Sequence, residues 1–215
     1  MPETVRPGES FFTRPPIEVA YDLLGCLLVS DRPPARTVGR IVEVEAYAGP
    51  DDLASHAGKY AAGRAAMFGP PGRAYVYRSY GIHTMLNVVA HEMGRAGAIL
   101  IRAIEPVDGL PTMAARRGLT TSTSLASGPG RLCQAMAIYL TDDGLHLASS
   151  DQVWIEHGAP LQSVLCAPRI GISQGREVRW RLFASDNRFV SLPRRGEPID
   201  PASLPDAALN GTRVN

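Results

Sequence analysis

The sequence predicts an α+β fold: a single compact domain with a mostly antiparallel, curved β-sheet flanked by short helices. The chain has 215 residues, of which 45% are hydrophobic, and this is enough for one well-filled core. Its helix-like and strand-like segments do not follow the regular β–α–β alternation of parallel sheets. We expect the domain to span residues 1–195. Residues 196–215, rich in Pro, Ala and Asp, are expected to form a loose C-terminal tail.

The first predicted elements lead into a strand with two different faces. The segment "RPPIEVAYDLLG" has proline at its start and Gly25 at its end, which predicts a helix. The segment "CLLVS" predicts a short buried strand, and residues 40–47 predict a second strand because apolar and polar side chains alternate. One face of this second strand carries Val42, Val44 and Ala46, and the other carries Glu43, Glu45 and Tyr47.

The rest of the chain divides into turns, strands and helices. The segment "GPDDLASH" predicts a loop with one helical turn that ends at His56, and "GPPG" at 69–72 predicts a rigid turn. Two strands that meet at Gly81 are expected to form a tight hairpin. The predicted strands are 73–80, 82–90, 97–105, 153–156, 166–172, 181–184 and 189–192, and the predicted helices are 109–117 and 131–138.

Charge is unevenly distributed along the chain. The net charge is only +1, but residues 64–102 contain five arginines against one acid, and residues 169–195 contain seven against two. This segregation favours a basic face for a polyanion, with scattered surface arginines as the alternative. The basic side chains are 21 arginines and one lysine, Lys59. The planar guanidinium group suits phosphate recognition.

Several classes of function lack the motifs that they need. The five histidines and three cysteines show no metal-ligand spacing, so we expect no metal site. No phosphate-binding loop or dinucleotide fingerprint is present, and we expect no cofactor. Since neither a secretory signal nor a membrane-length apolar run is found, we expect a cytoplasmic protein with free thiols and no membrane partner.

Acidic and aromatic side chains crowd into residues 43–80. Glu43 and Glu45 share a strand face, which is either a solvated face or a general base beside an aromatic wall. Five of the seven tyrosines lie between residues 47 and 80. Strand tyrosines usually pack in the core or at its rim. Tyr80 differs because the tip of a hairpin offers little core to pack against, and its position suits insertion between stacked bases.

Two polar residues lie inside predicted apolar strands. Arg102, in "GAILIRAIEP", needs an acidic partner, either a catalytic carboxylate or a structural ion pair with Glu43 or Glu105. Asn87, in "TMLNVVA", must be hydrogen-bonded or must line a cavity. The convergence of Glu, Tyr, His, Arg and Asn side chains within residues 45–102 favours a functional site there.

Four segments of the chain resemble one known enzyme family. The segments "RIVEVEAYAGPDDLASH", "MFGPPGRAYVYRSYGIHTMLN", "AILIRAIEP" and "SGPGRLCQAM" are similar, in this order, to segments of the alkyladenine (3-methyladenine) DNA glycosylase family, and we expect a bacterial member. The resemblance runs from about Pro15 to about Ser191. It implies a compact α+β domain, no metal or cofactor, and removal of alkylated and deaminated purines from double-stranded DNA.

The resemblance implies roles for residues around the reacting atoms. Glu45 matches the general base that activates the attacking water. Arg102 and the backbone carbonyl of Val190 match the other two contacts of that water. The aromatic walls that receive the flipped base match Tyr47, His56 and Tyr77.

The resemblance also implies contacts with DNA. Tyr80 matches the residue that fills the gap left in the duplex, and Asn87 matches the asparagine whose amide crowds the exocyclic amine of guanine. The loop between His56 and Met67 lacks a basic stretch common in relatives, which leaves the phosphate contacts near it open. The candidate DNA contacts are Arg64, Arg73, Arg78, Ile82 and His83.

We therefore expect a monomeric, monofunctional glycosylase that acts on damaged purines at the nucleoid and starts base excision repair. It would flip the purine out of the duplex and hydrolyse the N-glycosidic bond with a base-activated water. Two alternatives remain open. One is a non-catalytic binder of damaged DNA with the same pocket. The other is a lyase-type glycosylase with an amine nucleophile, for which the chain offers Lys59 and, after removal of Met1, Pro2.

Overall fold

The computed structural model describes residues 5–59, 65–120, 123–199 and 204. Its helices are short: α1 Glu9–Phe12, α2 Pro16–Leu23, α3 His56–Lys59, α4 Leu110–Arg117 and α5 Pro129–Ala135, with a 3-10 turn at Leu140–Asp142. The strands are β1 Leu27–Ser30, β2 Thr37–Tyr47, β3 Ala74–Ser79, β4 His83–Val89, β5 Ala98–Asp108, β6 Val153–Glu156, β7 Val164–Ala167, β8 Arg181–Ala184 and β9 Glu197–Pro198.

The nine described strands form one sheet, and every pairing between them is antiparallel. The order is β3-β4-β5-β2-β8-β7-β9, and β1 joins β2 to β6. Strand β2 is central because it pairs with β5 along one edge and with β1 and then β8 along the other. The predicted α+β fold with a mostly antiparallel sheet is confirmed.

Helix α2 shows how the sequence determines a local element. Pro16 occupies the first turn, where its missing N–H is not needed, and Ile17, Ala20 and Leu23 are buried on one side. Burial of each large aliphatic side chain contributes about 1.5–3 kcal/mol. After the helix, Gly25 has a φ of +92°, and an added Cβ would lie 2.3 Å from the carbonyl oxygen of Ala159. Gly25 therefore ends the helix, as predicted.

Strand β2 is irregular where it meets β5. The register shifts between Ile41 and Glu43 and again between Glu43 and Val44. Ile41 and Val44 both pack in the main core, whereas Val42 packs in a separate cluster with Phe183 and other residues. The predicted placement of Val42 beside Val44 is therefore wrong, because a bulge interrupts the two-residue period.

Two predicted strands differ from the structure. The predicted strand 166–172 ends at Ala167, since Pro168 has no backbone N–H to continue a ladder. The predicted strand at 189–192 is wrong. Asn187 forms a turn there, in which its side-chain oxygen accepts from the N–H of Phe189 and its carbonyl accepts from the N–H of Val190.

The end of the described chain contacts the rest of the domain. Glu197–Pro198 pair with β7, so the sheet includes the first part of the segment predicted as a loose tail. Ile199 and Leu204 pack against the main core. The other residues from 200 onward lie outside the described part of the chain.

Candidate active site

A cavity of about 690 Å³ opens between the β3–β4 hairpin, the end of β2 and residues 170–173. Several residues predicted from the sequence line it: Tyr47, His56, Tyr77, Tyr80, Asn87 and Arg102, together with Arg78. Cavities of 300–1,000 Å³ are typical of sites for small molecules. The residues that the sequence gathers into one site are thus brought together, although Glu45 and Val190 are not among the residues that line the wall.

Glu45 is fully buried immediately behind this wall. Its Oε2 accepts a 2.8 Å hydrogen bond from the hydroxyl of Tyr47, and its Oε1 accepts from the N–H of Ile170 at 2.7 Å. Nη1 of Arg102 lies 3.1 Å from the same Oε1. Burial and then Glu45 raise the pKa of Tyr47 well above its usual value, so the phenol keeps the proton that it donates.

Glu43 is fully buried, as Glu45 is, so the alternative of a solvated face for these two acids is wrong. Nε of Arg102 donates to Glu43 at 2.9 Å, and Nε of Arg181 donates at 2.7 Å. Burial alone would raise the pKa of Glu43, but Arg102 and Arg181 hold it below its usual value. Of the acidic partners considered for Arg102, Glu43 forms an ion pair with it, and Arg102 contacts Glu45 as well.

Val190 does not line the cavity and makes no hydrogen bond to Glu45 among the described residues. Its side chain is buried in the cluster with Val42 and Phe183, and its carbonyl accepts a 2.7 Å hydrogen bond from Nε of Arg194. The neighbouring Ser191 contacts Glu43. The backbone segment that meets Glu45 begins at Ile170, which also lines the cavity.

The aromatic wall consists of a cluster that includes one residue without a predicted role. His56 and Tyr77 have ring centroids 4.7 Å apart, and Tyr75 and Tyr77 stack at 5.3 Å. Nδ1 of His56 lies 3.1 Å from the hydroxyl of Tyr75. Burial, and then the charge of Lys59, lower the pKa of His56, which favours a neutral imidazole. Tyr75 thus orients His56. The sequence feature that could have indicated this role is the position of Tyr75 two residues before Tyr77.

Asn87 both lines the cavity and holds two strands together. It lies opposite Tyr75 in the β3–β4 register, and its Nδ2 donates a 3.0 Å hydrogen bond to the carbonyl of Tyr75. This bond satisfies part of the hydrogen-bonding capacity of the amide, whose burial in an apolar strand would otherwise be costly. The amide therefore has a fixed position at the cavity wall.

The β3–β4 turn presents Tyr80 to solvent. Tyr80 has a φ of +50° and Gly81 a φ of +72°, and the N–H of Ile82 donates to the carbonyl of Ser79 at 3.1 Å. Positive φ at both central residues is the pattern of a type I′ hairpin turn. Tyr80 is 87% exposed and Ile82 is 73% exposed. The predicted hairpin is confirmed, and Tyr80 has almost no contact with the core.

The remaining candidate DNA contacts differ in their surroundings. Arg78 is exposed at the cavity, and the exposed Arg73 donates to the carbonyl of Gly144 at 2.7 Å. His83 is exposed and packs closely on Gly130, where an added Cβ would lie 3.1 Å from its ring. Arg64 lies outside the described residues.

A buried ion pair behind Tyr47 was not predicted from the sequence. Nη1 and Nη2 of Arg169 donate to the two carboxylate oxygens of Asp52 at 2.6 and 2.8 Å. The guanidinium group lies 4.8 Å from the ring centroid of Tyr47. Asp52 also accepts from the backbone N–H groups of Ala48 and Ala54. The pair fixes the loop after β2, and Arg169 and Arg181 are not available to a basic surface because both are buried.

Within residues 5–59, 65–120, 123–199 and 204, no helix is long and apolar enough to cross a membrane. Within the same ranges, no group of three or more His, Cys, Asp or Glu side chains is placed to hold a metal ion.

Comparisons with known proteins give a consistent result. The model of a family described as methylpurine-DNA glycosylase matches residues 10–188. A Rhodopseudomonas palustris (strain BisB18) protein, provisionally named a 3-methyladenine DNA glycosylase, is 46% identical over 187 residues, which are 86% of this chain and 90% of that protein. Proteins with the same provisional name from Chlorobium luteolum and Methanocella arvoryzae are 42% and 40% identical, over 88% and 87% of this chain and 98% and 96% of their own lengths.

Proposed function

Because the chain belongs to the methylpurine-DNA glycosylase family, we propose that it flips alkylated or deaminated purines out of duplex DNA into the cavity at Tyr47. A water activated by Glu45 would then hydrolyse the N-glycosidic bond of the flipped purine. The chain is a DNA glycosylase, a hydrolase of N-glycosyl bonds that acts in DNA repair. The flipping step, the water and the residue roles are the proposal. Chromosomal DNA would be its substrate, and it would act as a monomer at the nucleoid.

The aromatic cavity supports base flipping. An enzyme that acts on a base must take it out of the stack, at a cost of a few kcal/mol. Tyr47, His56 and Tyr77 line a cavity of about 690 Å³, which can repay part of this cost by stacking on a planar purine. Tyr80, exposed at the hairpin tip beside the cavity, would fill the space that the base leaves in the duplex.

The hydrogen bonds of Glu45 support its role as general base. An ionised carboxylate offers about four lone-pair sites; Tyr47 and Ile170 donate to Glu45, and Nη1 of Arg102 forms an ion pair with its Oε1. Its Oε2, which accepts only from Tyr47 within the described residues, would hold the water. As the bond to the base breaks and the sugar gains oxocarbenium character, the water oxygen bonds to the sugar carbon and Glu45 takes its proton.

The leaving base receives the electron pair of the broken bond. A base alkylated on a ring nitrogen carries a positive charge and leaves neutral, whereas hypoxanthine needs a proton to leave easily. The reaction proposed here uses only water and side chains. The backbone N–H of Ile170 supports this role because it holds the carboxylate of Glu45.

The observation that carries the proposal is the buried carboxylate of Glu45 directly behind an aromatic cavity. The test is release of free base from duplexes that carry 3-methyladenine, hypoxanthine, ethenoadenine or 7-methylguanine. We expect release from at least one of these, with none from an undamaged duplex. Tight binding without any base release would favour the non-catalytic binder instead.

A further inference from the structure

We propose that Glu43 is a positioning residue for excision: it holds the guanidinium group of Arg102 in the orientation that serves Glu45. This inference rests on the proposed function, since it concerns the same site. Glu43 itself neither lines the cavity nor contacts Glu45 through any hydrogen bond within the described residues.

Both carboxylate oxygens of Glu43 accept hydrogen bonds from other residues of the protein. Its Oε1 accepts from Nε of Arg102, Nε of Arg181 and Oγ of Ser191, at 2.9, 2.7 and 2.8 Å. Its Oε2 accepts from the N–H of Ser191 at 2.7 Å. Both carboxylate oxygens are thus held by protein donors, three on Oε1 and one on Oε2. Glu43 is therefore committed to holding its neighbours.

Arg102 connects Glu43 to the cavity. Its Nε donates to Glu43, while its Nη1 lies 3.1 Å from Oε1 of Glu45 and its side chain lines the cavity. The guanidinium group is planar and rigid, so a bond that fixes Nε also fixes the directions of the two terminal nitrogens. The register shifts between β2 and β5 occur at these residues, and they place Arg102 within reach of both acids.

The charges along this group alternate: Arg181, Glu43, Arg102, Glu45. All four side chains are buried, so each charge depends on its neighbours for compensation. Without the charge of Glu43, both arginines would share Glu45 as their nearest acid in this group. Arg102 would then turn toward Glu45, occupy its free lone-pair site and weaken it as a base.

The test is Glu43→Gln, which keeps the size of the side chain and removes its charge. We expect the single-turnover rate constant of base release, measured with enzyme in excess, to fall between about 10-fold and 100-fold, as displaced catalytic groups do. The Kd for the lesion duplex should stay unchanged, because Glu43 does not touch the cavity. If Glu43 had only a structural role, Glu43→Gln would lower the melting temperature and leave the rate constant of the folded enzyme unchanged.

Glu156→Gln is the matched control. Glu156 is also a buried acid with a cationic partner, since it accepts from Nε1 of Trp154 at 2.7 Å and from Arg36 at 3.3 Å, but it does not line the cavity. Its loss should reduce stability and leave the rate constant unchanged. Should Glu43→Gln fail to fold, Glu43→Asp keeps the charge and withdraws the carboxylate from Arg102.

The outcomes separate this inference from the proposed function. A folded Glu43→Gln, or a folded Glu43→Asp in its place, with the wild-type rate constant overturns the positioning role while excision by the wild type stands. A slower variant with unchanged Kd supports it. Absence of base release by the wild-type protein would refute the proposed function. Base release by the wild type is therefore measured before any variant is compared.

Discussion

At the scale of single residues, Tyr80 combines a bulky side chain with a backbone conformation that suits glycine or asparagine. Its φ of +50° lies in the left-handed region, which costs a non-glycine residue about 1–3 kcal/mol. Asparagine is favoured in the first central position of a type I′ turn before glycine. The protein thus carries local strain where an exposed aromatic ring would enter the duplex.

We expect Tyr80→Asn to stabilise the protein and impair its reaction. Relief of about 1 kcal/mol of strain should raise the melting temperature by about 2–4 °C in a domain of this size. Loss of the ring should weaken both lesion binding and excision. Tyr80→Ala is the control, because it removes the ring and keeps the unfavourable φ. A clear fall in the melting temperature of Tyr80→Ala would show that the ring packs against the protein.

Asn87 allows a prediction about specificity. Guanine carries an exocyclic amine at C2 and hypoxanthine does not, so an amide against that edge disfavours guanine-derived bases. Shortening Asn87 to Ser should raise excision of 7-methylguanine relative to hypoxanthine by up to about tenfold, which corresponds to about 1.4 kcal/mol. The measurement is the ratio of single-turnover rates on the two duplexes. Equal losses on both substrates, together with reduced stability, would mean that the bond to Tyr75 is the main role of Asn87.

At the scale of elements, the loop after β2 is held by a pair of residues far apart in sequence. Asp52 and Arg169 are 117 residues apart, and their bidentate pair lies behind the ring of Tyr47. The residue after Arg169 donates to Glu45. One ion pair therefore supports both a wall of the cavity and the contact of the proposed base.

The adjacent acids of this loop provide a matched test. Asp52 is buried and Asp51 is exposed. Asp52→Asn should lower the free energy of unfolding by about 3–5 kcal/mol, because it leaves the buried guanidinium group of Arg169 without its counter-charge. Asp51→Asn should change it by less than about 0.5 kcal/mol. Chemical denaturation measures both values, and equal stabilities of the two variants would contradict the role given to the pair.

Local pattern was enough to predict some of these elements and not others. The two-residue period places Glu45 beside Tyr47, and their hydrogen bond confirms it. The same period fails at Val42, where a bulge depends on packing against the distant Phe183. The contacts of Glu43 with Arg181 and Ser191, and that of Ile170 with Glu45, could not be predicted, because each joins segments more than a hundred residues apart in the chain.

At the scale of the whole molecule, one antiparallel sheet brings the end of β2, the β3–β4 hairpin and the segment after β7 to a single cavity. The mixture of helices and strands was enough to predict the fold class. The order of the strands was not predictable, because β2 pairs with β8, which lies far away in the sequence. The aromatic residues of 43–80 nevertheless predicted where the cavity lies, because Tyr47, His56, Tyr77 and Tyr80 all line it.

The cavity also bears on the type of product. Lys59, the amine considered for a lyase reaction, lines the cavity, whereas Pro2 lies outside the described residues. We expect water to be the nucleophile, so borohydride should trap no covalent protein–DNA adduct and the strand at the abasic site should remain intact. Lys59→Met is the control for any trapped species. An adduct in the wild type that disappears in this variant would replace the hydrolytic reaction with a lyase reaction.

The most direct test of the central claim is Glu45→Gln, with base release and lesion binding measured on the same preparation. The amide oxygen can still accept from the N–H of Ile170, and Arg102 keeps Glu43 as its acidic partner, so the fold and the cavity should be retained. Since general-base catalysis contributes about 10²- to 10⁴-fold, we expect the single-turnover rate constant to fall by that factor while the Kd for the lesion duplex is unchanged. A folded variant that releases base at the wild-type rate would contradict the assignment of Glu45 as the general base.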